Sequence, residues 1–103
     1  MAKAVAYIEK HYAERVSLSD AARYVCLSPT YFSTLFARAA GVNFSDYLRT
    51  YRLTQAKRLL RTPGASVSSV ASEVGFHSAA YFIKSFSDVF GMTPGEYRRD
   101  YPS

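Results

Sequence analysis

The 103-residue chain has a single cysteine, Cys26, so no internal disulfide can form. A lone thiol of this kind reads as a small apolar residue bound for the interior. Its two histidines, His11 and His77, lie far apart in sequence and have no cysteine or histidine at ligand spacing. No metal site and no cofactor are expected. No run of about 18 apolar residues occurs, and no charged-then-apolar leader ends in a small-residue cleavage site. The protein is therefore expected to be soluble and cytoplasmic. G-x-S-x-G, a phosphate-cradling glycine loop and H-E-x-x-H are missing too, and the eight acids are scattered. Nothing points to an enzyme.

What is present is apolar mass: 49% of residues are hydrophobic and 16% aromatic. A chain of this length buries roughly 60–70% of its unfolded surface, which suffices for one compact domain or two small lobes. The charge is uneven. Between Asp20 and Glu73 stand Arg23, Arg38, Arg49, Arg52, Lys57, Arg58 and Arg61 against one acid, Asp46. The remainder carries six bases against seven acids, so the net +5 resides in the middle. A positive centre suits a polyanion, although a solvated helix face has the same composition.

The chain also repeats itself. A shift of 50 aligns Ser28 with Ser78, Tyr31 with Tyr81, Phe32 with Phe82, Phe36 with Phe86, Gly41 with Gly91 and Tyr47 with Tyr97. Upstream the shift is 49, pairing Leu18 with Val67, Ala22 with Ala71, Val25 with Val74 and Leu27 with Phe76. One inserted residue near His77 accounts for the difference.

Each copy reads as a short helix, a tight turn and a longer helix. Ser17 with Asp20 forms a capping box, and Leu18, Ala21, Ala22 and Val25 recur at helical period. After a turn at Cys26–Leu27, Ser28 caps and Pro29 starts a helix with the stripe Phe32, Leu35, Phe36 and Ala39, ended by Gly41. In the second copy Ser66 and Ser78 are the caps. Val67, Val70, Ala71 and Val74 form the short stripe, Gly75 the turn, and Phe82, Ser85, Phe86 and Val89 the long stripe before Gly91. Thr93, Pro94 and Glu96 open a last helix. Ala4, Val5, Ile8 and Tyr12 form another at the N-terminus. Asn43 caps a helix from about 44 to 61, striped by Leu53, Ala56, Leu59 and Leu60 and stopped by Pro63 and Gly64. At 1.5 Å per residue it is about 27 Å long, a stiff connector. The chain is thus all-α, with two helix-turn-helix lobes (1–42 and 63–103) joined by a long central helix (43–62).

A helix that enters the major groove of DNA needs one face pinned by its own domain and an opposite face slim enough to reach base edges. The outward residues of the first long helix are Pro29, Thr30, Ser33, Thr34, Ala37 and Arg38. Those of the second are Ala79, Ala80, Ile83, Lys84, Ser87 and Asp88. Small residues outside and rings inside meet both needs, twice. With major-groove faces about 34 Å apart, a stiff connector suits a reader of two successive segments, with some DNA bending. The alternative is a helical protein–protein interaction module without base reading, which needs neither slim faces nor a basic centre.

These residues match a known pattern. The stretch ASEVGFHSAAYFIKSFSDVFGMTPGEYRR (71–99) closely resembles the signature of the AraC/XylS family of bacterial transcription regulators. The first copy and RLTQAKRLL (52–60) resemble it too, so the likeness runs from about Ala4 to Arg99. It implies a seven-helix DNA-binding domain that binds promoters and regulates transcription, commonly as an activator touching RNA polymerase. By motif position it places base reading on Thr30, Ser33 and Thr34, and on Ala80, Tyr81 and Lys84. Members usually carry a sensing, dimerising or receiver domain as well, so a C-terminal fragment is expected over a stand-alone regulator. Ala79, Ala80 and Ile83 depart from some relatives by offering no hydrogen bonds, which suggests positioning more than readout.

Candidates for backbone contact are Ser28, Tyr31, Arg38, Arg49, His77 and Ser78. Arg52 is open between a phosphate contact and an internal pair with Asp46 or Glu96, and His77 between phosphate and a plain turn role. Lys57, Arg58 and Arg61 are expected to supply long-range field. If the turn at Cys26 needs a positive φ, cysteine there costs about 1–2 kcal/mol relative to glycine; a relaxed turn is the other reading.

Overall fold

A computed structural model describes residues 1–101, which form seven helices and no strand among the described residues. They are α1 (Ala2–His11), α2 (Leu18–Tyr24), α3 (Pro29–Ala40), α4 (Phe44–Leu60), α5 (Val67–Glu73), α6 (Ala79–Phe90) and α7 (Pro94–Asp100). The chain divides into two compact units, Met1–Arg49 and Thr50–Ser103, with the division inside α4. Within the first, α2 packs on α1 and α3; within the second, α6 packs on α5 and α7.

The helix starts are coded locally. Ser17 Oγ accepts from the Asp20 N–H at 3.0 Å while Asp20 reaches back to the Ser17 N–H, and Thr93 with Glu96 does the same. That reciprocal bond at Thr93 holds the Glu96 carboxyl below the ordinary carboxylate range. Ser66 pairs with Ser69 in a third such box. Asn43 Oδ1 accepts from the Asp46 N–H at 2.8 Å and so begins α4.

Phe32 and Phe36 are fully buried in the first unit, with ring centroids 5.7 and 5.5 Å from Phe44, and Tyr47 stands edge-on to Phe36 at 5.3 Å. In the second, Phe82 and Phe86 are buried with Phe76, Leu53, Leu60, Val70 and Val74 around the same core. Phe86 meets Phe90 at 4.7 Å and Tyr97 at 5.8 Å. Lys57 Nζ lies 4.3 Å from the Phe90 ring, a cation–π contact, and Arg98 Nε donates to the carbonyl of Leu60 at 3.0 Å.

Three expectations about the core are corrected. Ala39 and Val89, assigned to the buried stripes, are exposed. Both lie in the last turn of a long helix, where on α6 Phe90 and not Val89 packs inward against Phe86 and Lys57. Cys26, assigned to the interior, is exposed as well, for a backbone reason.

Cys26 has φ 62°, the one positive value at a non-glycine among the described residues, and Gly75 at the matching place in the repeat has φ 96°. The Cys26 N–H donates to Arg23 O at 3.1 Å and the Leu27 N–H to Ala22 O at 2.9 Å. Gly75 and Phe76 make the same pair of bonds to Ser72 and Ala71. Both turns are Schellman closures, whose geometry demands a left-handed residue. Such a residue points its side chain to solvent here, so Cys26 gains no burial in return for its strain. Cys26→Gly is expected to stabilise the chain by about 0.5–1 kcal/mol, strain relief partly offset by glycine's unfolded-state entropy. A melting temperature unchanged or lowered in the variant contradicts that account.

Candidate nucleic-acid interface

The long helices α3 and α6 each bury two phenylalanines and turn the opposite face outward. On α3, Thr30 and Thr34 are exposed and Ser33 is half-buried, with Ser33 and Thr34 both one turn on from Thr30. Thr34 Oγ1 donates to the carbonyl of Thr30 at 3.2 Å, which commits its proton but leaves the oxygen able to accept. Arg38 is exposed one turn further on.

At the start of α3, Ser28 Oγ accepts from the Tyr31 N–H at 3.3 Å, and the Tyr31 ring is 57% exposed. The second unit repeats the arrangement: Ser78 Oγ accepts from the Tyr81 N–H at 3.1 Å, and Tyr81 is 50% exposed with its ring 5.8 Å from Phe76. Proline at the first position of α3 leaves one fewer N–H for a phosphate there than α6 offers. His77 and Ser78 are exposed immediately before α6.

On α6, Ala80 and Lys84 are exposed, and Lys84 Nζ pairs with Asp88 Oδ2 at 3.0 Å. Both partners are mostly solvated, and an exposed pair of this type is worth about 0–1 kcal/mol. A good contact to a guanine edge is worth about 1–3 kcal/mol, so the pair does not prevent Lys84 from leaving Asp88 for a base.

The structure groups Ser28, Tyr31, Thr30, Ser33, Thr34 and Arg38 on α3 and its entry, and His77, Ser78, Ala80, Tyr81 and Lys84 on α6 and its entry. Arg49 stands apart on α4. It is half-buried, its Nη2 lies 3.3 Å from Asp46 Oδ1, and its Nε is buried with no hydrogen-bond partner. Arg52 is also half-buried, and desolvation pulls its pKa down. Asp46 lies 3.3 Å from Arg49 and Glu96 accepts from the Thr93 N–H.

Sequence reasoning underrated two features. Arg58 and Arg61 wall a shallow depression of about 320 Å³ with Thr62 and Pro63, which sets the two arginines side by side at the end of α4. Ile83, passed over for lack of hydrogen bonds, is 37% exposed on the outward side of α6. Among the described residues no group of His, Cys, Asp and Glu is placed to hold a metal ion, and no helix is long and apolar enough to cross a membrane.

Residues 21–100 match the helix-turn-helix domain of AraC type. The chain belongs to the AraC family. The chain is similar to the regulatory protein PocR of Salmonella typhimurium, 37% identical over 99 residues, which are 96% of this chain and 33% of PocR. The chain therefore spans about a third of that relative's length. Among solved structures, an AraC-type transcriptional regulator from Chromobacterium violaceum superposes with a TM-score of 0.90 at 30% identity, covering 96% of this chain and 88% of that one. The DNA-binding domain of AdpA, a global transcriptional factor solved with a target DNA, superposes with a TM-score of 0.92 at 32% identity, covering 97% and 90%. AraC-family domains are DNA-binding transcription regulators and not enzymes.

Proposed function

We propose that this chain binds specific duplex DNA sequences at promoters and regulates transcription, with α3 and α6 each reading one of two successive major-groove segments. The observation that carries the reading is the twofold contrast in side-chain size: fully buried ring pairs, Phe32 with Phe36 and Phe82 with Phe86, lie opposite slim exposed faces. The DNA complex of the AdpA domain, of like fold, supports the same partner class. The functional lobes are 1–42 and 63–103, and residues 43–62 connect them through α4, about 25 Å of helix.

Thr30, Ser33 and Thr34 are the readers of the first lobe, and Ala80, Tyr81 and Lys84 those of the second. Ser28, Tyr31, Arg38, Arg49, His77 and Ser78 face the phosphates. Such a domain acts in the cytoplasm on RNA polymerase at the promoter, within a longer protein that senses or dimerises through another domain. The length of PocR relative to this chain supports that last step.

Selection of bound sites from random duplex DNA tests the proposal. Thr34→Ala and Lys84→Ala are each expected to relax base preference at a separate position, about 10 base pairs apart, by up to about 1–3 kcal/mol. Arg58→Ala is expected to weaken all sequences about equally. If both reading-face variants return the wild-type profile, the two faces do not read bases.

A further inference from the structure

The two copies of the repeat differ at every outward position of their long helices. Thr30, Ser33, Thr34 and Arg38 in the first correspond to Ala80, Ile83, Lys84 and Asp88 in the second. Hydroxyls and a free cation on α3 are thus replaced on α6 by methyl surface and by a lysine already paired with an acid at 3.0 Å. The fold does not require this. Serine serves at the matching position of α3, so a small polar residue is accommodated at that place in the repeat, and isoleucine brings no gain in helix propensity over serine. A partly exposed isoleucine on a face otherwise made of Ala79, Ala80, Ser87 and one ion pair needs another account.

In the major groove one base-edge feature rewards apolar contact: the C5-methyl group of thymine. We infer that Ile83, flanked by Ala80, makes the second lobe a reader of thymine methyl groups, so that Ile83 is a specificity-determining residue. This rests on the reading of α6 as a groove-entering helix. The hydrogen-bond code of that half-site then matters less than its pattern of methyls, and Lys84 reads or anchors beside it. The first lobe, with its three hydroxyls, reads by polar contact. One molecule so divides its recognition between two chemistries.

The test uses duplexes carrying the site recovered by selection, with each thymine replaced singly by deoxyuridine, which deletes the methyl and keeps every hydrogen bond. At one or two thymines in the half-site contacted by the second lobe, the wild-type chain is expected to lose about fourfold in affinity, the equivalent of one buried methyl group. Ile83→Ser, which installs the residue that α3 already accommodates, is expected to bind thymine and deoxyuridine duplexes equally. Ile83→Val, which keeps branched methyls, is expected to retain most of the discrimination. A cytosine-for-thymine duplex is expected to recover part of its loss when the cytosine is 5-methylated. Indifference of the wild-type chain to deoxyuridine throughout that half-site, with selective binding intact, overturns the inference and leaves the DNA-binding reading standing. Failure of any selective site to emerge from random DNA overturns both.

Discussion

Phe86→Ala is expected to destabilise the protein by about 3–5 kcal/mol, the cost of a large cavity left by a fully buried ring. Domains of this size have a total stability of about 5–15 kcal/mol, so the variant stands near unfolding at 37 °C. Its melting temperature is expected to fall by about 15 °C or more. The reason is specific to the place of Phe86. It touches Phe82 and Phe90 on its own helix and Tyr97 on α7, and so one deletion removes the centre of a four-ring cluster. Val89→Ala, three residues on, is the control: that side chain is 41% exposed and is expected to cost well under 1 kcal/mol. Thermal unfolding followed by circular dichroism checks both. A Phe86 variant as stable as the Val89 variant removes the ring cluster from its role in pinning α6.

Raising salt from 50 to 200 mM is expected to weaken binding to the selected site about a hundredfold. The figure follows from about four phosphates neutralised, each adding about −0.9 to the slope of log affinity against log salt. Arg38 is exposed, as are Arg58 and Arg61, which line one shallow depression. Arg49 contributes less freely, because Asp46 already holds it at 3.3 Å. Removing Arg58 is expected to lower the slope by about one without changing base preference. A partner held in an apolar groove of a protein-interaction module responds far less steeply, and a slope near zero at the selected site favours that rival.

Much of this architecture was legible in the sequence because its helix starts are written in local chemistry. Ser17, Ser28, Ser66, Ser78 and Thr93 all cap the helices they were expected to cap, since a cap depends on residues three apart and on nothing distant. Burial is set by what lies across from a residue, and that was harder to read. Ala39 and Val89 keep helical spacing with the buried rings yet are exposed. The stripe of α4 was read only from Leu53 onward, whereas Phe44 and Leu48 are buried too. Their four-residue spacing breaks before Leu53, five residues on, so no single periodic pattern runs the length of the helix. Cys26 was hidden differently. Only the comparison with Gly75 hinted at a left-handed backbone, and the hydrogen bonds of the turn were needed to establish it.

For the candidate interface, the exposed faces of α3 and α6 followed directly from periodicity, but the electrostatic partnerships did not. The pairs Lys84–Asp88 and Arg49–Asp46 are one-turn neighbours whose closure depends on rotamers. The chemical weight of Ile83 was missed because it was judged as a hydrogen-bonding residue instead of as methyl surface.

Rings that hold a helix from behind leave its front with almost no duty to the fold. Exchanges at Thr30, Thr34, Ala80 or Lys84 should leave stability within about 0.5 kcal/mol while altering which duplex is preferred. New targets then become accessible through single surface substitutions, one half-site at a time, without any compensating change inside.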